Sequence, residues 1–199
     1  MGKKRSHAAF MLTRCGVLSV LAVVLYAAEL PVVAFYRLDL STLPAILAAL
    51  AMGPAAGLGV TVVKNLVHMA GTSSAFVGEI ADILVSGAYV AAAGGVYRLE
   101  KSRRGARRAL LAGTAAMTAA GMLANYFLLI PAYQALMGMD AQSILAMGAA
   151  VHPGIDSMGR LVVCIAGPFN LLKGGVLSAA AWLTYKRMSP LLHERAAQR

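Results

Sequence analysis

The chain has 199 residues, 59% of them hydrophobic and 13% charged, with a net charge of +10 and a mean hydropathy of +0.71. Soluble domains carry about 25% charged residues, so this composition excludes an ordinary soluble protein and identifies an integral membrane protein. With about 20 residues needed per helical span, there is room for roughly five to seven crossings and none for a separate soluble domain, so residues 1–199 form one transmembrane domain.

Of the 18 Lys and Arg residues, 14 fall in three clusters: Lys3, Lys4, Arg5 and Arg14; Arg98, Lys101, Arg103, Arg104, Arg107 and Arg108; Lys186, Arg187, Arg195 and Arg199. They flank apolar segments and have no aromatic side chains interleaved, which argues against nucleic acid and for topological anchors that also touch anionic lipid. Basic loops stay in the cytoplasm, so an even number of spans separates one cluster from the next.

The first span is predicted at about 8–28, ended by Glu29 and Pro31. It is read as a retained span because its apolar run is long for a cleaved signal core. An outer loop follows to about Ser41. The second span, 42–53, carries Pro44 in its first turn, where a missing N–H costs nothing. Gly53-Pro54 is a tight cytoplasmic turn. The third span, 55–69, ends in Lys64, Asn65 and His68, and 71–78 is a short polar outer connection.

The fourth span is predicted at 79–97, the basic linker returns the chain to the cytoplasm, and the fifth span runs 109–131 up to Pro131. Residues 132–167 are irregular and read as an outer loop with one or two short surface helices. The sixth span runs 168–186 from Pro168, or begins at Arg160 and kinks at that proline. Either way the fold class is an all-α integral membrane protein with six transmembrane helices and both termini cytoplasmic. Cys15 and Cys164 lie in apolar surroundings on different sides of the membrane, and the 11 Met residues read as lipid-facing or core filler.

Ionisable side chains inside a span cost roughly 2.5–3.5 kcal/mol, which makes them functional candidates. Here they are Lys64, Glu79, Asp82 and Lys173, accompanied by the amides Asn65, Asn125 and Asn170. The span assignment brings nearly all of them to the outer ends of four helices. Asn170 and Lys173 are three apart and share a helix face, as do Glu79 and Asp82. Lysine–carboxylate pairing and amides gluing helices together would account for any one of them. Their collection at one depth points instead to a pocket for an uncharged heterocycle with a polar tail. Glu79 and Asp82 lack an accompanying nucleophile or metal set, and no Walker A sequence occurs, so neither an intramembrane enzyme nor an ATPase is indicated.

The string LDLSTLPAILAALAMGPAAGLGVTVVKN from Leu38 to Asn65, with GE at Gly78 and Glu79, NYF at 125–127 and PFNLLKG at 168–174, resembles the substrate-binding S component of energy-coupling-factor vitamin transporters, most of all the riboflavin-specific members. The resemblance implies a six-helix, S-component-like fold in a prokaryotic plasma membrane. Such a protein captures riboflavin from outside and carries it across by toppling when it joins a transmembrane coupling subunit and two cytoplasmic ATPases. Riboflavin is then the transported ligand, and no cofactor is implied. By the same resemblance Asn125, Asn170 and Lys173 hydrogen-bond the flavin ring, Asp39 and Leu40 help cover it, and Lys64 and Glu79 fit the site by position. Members present small residues, usually alanines four apart, on the first helix to the coupling subunit. The nearest equivalents here are Cys15, Ser19 and Ala22, a departure from that pattern.

Overall fold

The computed structural model describes residues 2–33, 36–72 and 74–194, and the chain is mostly helical over them. Arg195 and Arg199 of the third basic cluster lie outside the described residues. The helices are α1 (Gly2–Ala27), α2 (Thr42–Met52), α3 (Pro54–His68), α4 (Val77–Leu99), α5 (Arg103–Met137), α6 (Ala141–Ala149) and α7 (158–194). The loop expected after the first span is a hairpin: β1 (Leu30–Val33) pairs antiparallel with β2 (Tyr36–Leu38), Leu30 opposite Leu38 and Pro31 opposite Arg37. The fold is therefore helical with one small sheet, a correction to the all-α expectation.

Among the described residues, four helical stretches are long and apolar enough to cross a membrane: Ala9–Ala27, Val77–Leu99, Arg103–Met137 and Met158–Tyr185. Helices α2 and α3 stand where the second and third spans were expected but have 11 and 15 residues. At 1.5 Å per residue they rise only about 16 and 22 Å, short of the roughly 30 Å hydrocarbon thickness. They meet at Gly53, whose φ of 104° suits glycine alone, and Pro54 opens α3 at a favoured position.

Two proline boundaries expected from the sequence are crossed. Proline lacks an N–H and its ring clashes with the carbonyl four residues back, so an α-helix should break at Pro131 and at Pro168. In both places the helix widens by one π turn just upstream. Asn125–Leu129 is π-helical, with the Ile130 N–H donating to the Asn125 carbonyl, and Val162–Ala166 is π-helical, with the Gly167 N–H donating to the Val162 carbonyl. The prolines are absorbed and both helices continue. The fifth span thus extends to Met137, where Gly138 ends it with a left-handed φ of 64°. The sixth begins at Met158, ten residues ahead of Pro168, and Ser157 caps it. Helix α6 alone occupies the irregular region between them, capped by Asp140, whose carboxylate accepts from the Ser143 N–H at 2.6 Å.

The main core joins α1 to α5 and α7 through Ala22, Ile46, Val60, Tyr89, Met117 and Tyr185. Lipid gives helices no hydrophobic drive to associate, so close backbone approach supplies the contact. A Cβ on Gly57 would lie 2.6 Å from both the Ala45 carbonyl oxygen and Val90 Cγ1, which locks α2, α3 and α4 together. Buried hydroxyls find partners: Tyr89 meets Ser178 at 2.6 Å and Tyr97 meets Tyr185 at 2.9 Å. Helix α1 packs its Ser19 and Ala22 into this core, with Cys15 half-buried beside them. The outward side of α1 presents Leu12, Val17, Val20 and Val24.

Candidate ligand-binding site

A cavity of about 650 Å³ lies at the end of the bundle opposite the basic linker, where α3 ends and α4 begins. Its size falls within the range of small-molecule sites, about 300–1,000 Å³. Asp39, Glu79, Asn125, Asn170 and Lys173 all line it, so five of the seven expected ligand residues are brought together. Lys64 is wholly buried behind the wall, and Leu40 is partly exposed and not part of the lining.

The charges at the base of the cavity balance. Lys173 Nζ lies 2.7 Å from Asp39 Oδ2 and 3.9 Å from Asp82 Oδ1, while Lys64 Nζ lies 2.9 Å from Asp82 Oδ2 and donates to Ser41 Oγ at 2.5 Å. Asp82 also accepts from Asn65 Nδ2 at 2.9 Å and Ser86 Oγ at 2.8 Å. Two lysines thus face two carboxylates in a site that would not tolerate either sign alone. Burial by itself would raise the Asp39 carboxyl, but Lys173 and Lys64 hold it below the usual carboxylate range. Its other oxygen accepts from the Ser41 N–H at 2.8 Å, which fixes the turn into α2.

The amides face each other across α5 and α7. Asn125 donates Nδ2 to the Gly121 carbonyl at 2.7 Å, and its Oδ1 accepts from the Tyr36 hydroxyl at 2.6 Å. Asn170 likewise donates Nδ2 to the Ala166 carbonyl at 2.8 Å. Each side chain is oriented by the carbonyl one turn back. Gly121 makes the arrangement possible, because a Cβ there would sit 2.4 Å from Asn170 Nδ2.

The opposite wall is built by a tight turn in which Ala75 and Phe76 take positive φ of 49° and 68°. This turn sets Glu79 in the first turn of α4, where the helix N-terminus favours an anion. Glu79 is 2.8 Å from His68 Nδ1 and accepts from Ser74 Oγ at 3.0 Å. His68 stacks on Tyr26 at 3.9 Å between centroids, and Lys64 Nζ lies 4.8 Å from the other partner of that stack, the Tyr26 ring. Glu79 and Asp82, which share a helix face in the sequence, therefore have different partners, His68 for the first and Lys64 for the second.

Walls of Leu and Phe are expected from the sequence, but sequence reasoning singled out none of the aromatic residues of the lining. Tyr26, Tyr36, Tyr133 and Phe169 border the cavity, as do Met137, Met139 and Met147, which read as filler. Phe169 carried a signal, since it stands between Pro168 and Asn170 in the PFNLLKG string. Tyr36, two residues ahead of the LDLS string, carried a weaker one.

Long apolar helices around a chamber lined by amides, paired charges and aromatic rings define a multi-pass membrane protein with a polar cavity at one end. Residues 10–185 match the family described as the ECF transporter, substrate-specific component, and the chain belongs to that family. It is 30% identical over 167 residues to the riboflavin transporter FmnP of Bacillus subtilis (strain 168), covering 81% of this chain and 80% of that protein. It is 29% identical over 161 residues to the riboflavin transporter RibU of Staphylococcus aureus (strain TCH60), covering 79% and 77%. A solved structure, described as the S component of a bacterial ECF transporter, superposes with a TM-score of 0.74 at 28% identity over 93% of this chain and 98% of that one. The chain is a transporter component and not an enzyme.

Proposed function

We propose that the chain is the riboflavin-binding subunit of an energy-coupling-factor transporter in a prokaryotic plasma membrane, working with a transmembrane coupling subunit and two ATPases. Helices α1, α2, α3, α4, α5 and α7 are the six membrane-inserted helices, and both termini are cytoplasmic. The basic linker at 98–108 and the Gly53–Pro54 turn at the end opposite the cavity support this orientation, which opens the cavity outward. The observation that carries the ligand reading is the convergence of Asn125, Asn170 and Lys173 on one cavity beside Phe169 and Leu129.

Such a lining suits the flavin. Its flat ring system is buried against aromatic and aliphatic side chains, which drives binding, and its polar edge and ribityl hydroxyls take the amides, Lys173 and Glu79. The base of the cavity is electrically balanced, which suits an uncharged vitamin. A largely preformed pocket loses little entropy on closing and releases its ligand slowly, so a partner is needed to empty it. Titration of riboflavin with detergent-purified protein tests the reading. Saturable quenching of flavin fluorescence supports it, and unaltered fluorescence at stoichiometric excess of protein rejects riboflavin in favour of another heterocycle on the same scaffold.

A further inference from the structure

Tyr36 lies on β2 with its side chain buried at 7% exposure, and it touches the two helices that supply the amides. Its hydroxyl donates to Asn125 Oδ1 at 2.6 Å, and its ring rests on Phe169 with centroids 4.8 Å apart, one residue before Asn170. Burial pushes the phenol up, so the hydroxyl remains a donor at every physiological pH. Three residues further along, Asp39 holds Lys173. Arg37, between them, is ion-paired with Glu29 across the hairpin. One short segment of the hairpin thus holds a polar group on α5 and another on α7.

We propose that Tyr36 is a positioning residue for ligand recognition: its hydroxyl, with the Gly121 carbonyl, holds the Asn125 amide in a single orientation with its oxygen available as a second-acceptor site for the ligand. The inference rests on the riboflavin reading. An amide oxygen has two lone pairs, so Tyr36 takes one and leaves the other for a ligand N–H such as the imide of the flavin ring. The Gly121 carbonyl fixes which end of the amide points away, and the hydroxyl fixes the torsion. Without the hydroxyl, Asn125 must be ordered by the ligand itself, at a cost in affinity and residence time.

The test is a double-mutant cycle in riboflavin affinity and release rate, measured by flavin fluorescence. Tyr36→Phe deletes the hydroxyl and keeps the ring on Phe169, and its melting temperature in detergent is the folding control. It should weaken binding by roughly fivefold to tenfold, the worth of one well-placed hydrogen bond, and speed release by a similar factor. In an Asn125→Ala background the same change should cost less than about twofold, because the group it acts through is gone. Tyr36→Leu, which also removes the ring, should lose more in the native background, and its penalty should shrink by the Tyr36→Phe factor when Asn125 is Ala. An unchanged or tighter affinity in Tyr36→Phe overturns the proposal. So do equal penalties with and without Asn125, which would mark Tyr36 as packing only. If the unaltered protein leaves riboflavin fluorescence untouched, the ligand reading fails instead, and the two failures are distinct.

Discussion

At the scale of single residues, the two buried lysines do different work although both looked alike as charges inside spans. Lys173 lines the cavity and, among the described residues, has only Asp39 within hydrogen-bonding distance, so at least one of its three N–H groups remains for a ligand. Lys173→Ala or Asn170→Ala should weaken riboflavin binding at least about tenfold, since a charge-assisted hydrogen bond in a desolvated pocket is worth roughly 1.5–3 kcal/mol. Isothermal or fluorescence titration checks it. Lys64 instead neutralises Asp82 behind the wall. Lys64→Ala removes the nearer cation of a buried carboxylate and leaves it Lys173 at 3.9 Å, which should cost up to about 3–5 kcal/mol of stability and lower the melting temperature well before any direct effect on binding is read. The sequence exposed both lysines through their unfavourable location. It did not separate their roles, because a partner such as Asp82 is chosen by helix rotation and not by spacing along the chain. Asp39 adds a pH dependence with a definite sign. Its carboxyl is held below the usual range, so the ion pair's contribution is fully present above the unfolded value of about 3.9 and is lost only as pH falls through the lower folded value. Riboflavin retention should therefore be flat from neutral pH down to about 5, checked by titration at each pH, with any loss confined to more acid conditions.

At the scale of elements, the site depends on two places where a helix should have stopped. A proline in a sequence signals a helix boundary or a kink: the fifth span is expected to end at Pro131, and the sixth to start at Pro168 or to begin at Arg160 and kink there. A π turn upstream of each relieves the clash with the carbonyl four residues back, and no residue type marks in advance that a helix will widen instead of ending. Asn125 begins the first π turn, and the second lies just ahead of Asn170. The functional amides thus sit where the helices depart from regular geometry. The hairpin was illegible for a different reason: seven strand residues, six of them paired, are too few for an alternation to stand out beside apolar helices. The close contact of α5 with α7 gives a test at this scale. Gly121→Ala should push Asn170 out of position and weaken riboflavin binding while the protein still folds, whereas Gly57→Ala should reduce thermal stability by about 1–3 kcal/mol through overpacking against α2 and α4. Thermal melts and titrations on the two variants distinguish these outcomes.

At the scale of the whole molecule, the balance of lipid-facing and ligand-facing surface follows from how the charges are distributed. Exposed cations gather at the linker end, from Arg98 to Arg108, and the paired buried charges gather at the other. That polarity was legible from the sequence, because the clusters interrupt long apolar runs. The shortness of α2 and α3 was legible too, because the Gly53-Pro54 turn divides the apolar run into the spans 42–53 and 55–69, and the helices keep close to those bounds. Lys101→Ala, in the linker, should leave riboflavin affinity unchanged, and a shift in the titration would mean that the two ends of the bundle communicate in the isolated subunit. The central claim is that side chains from the hairpin, α4, α5 and α7 form one chamber for riboflavin. Parallel fluorescence titrations of riboflavin with the purified native chain and with Lys173→Ala test it most directly. A saturable one-to-one quench for the native chain, displaced at least about tenfold for the variant, is the expected result; no quench, or two superimposable curves, would contradict it.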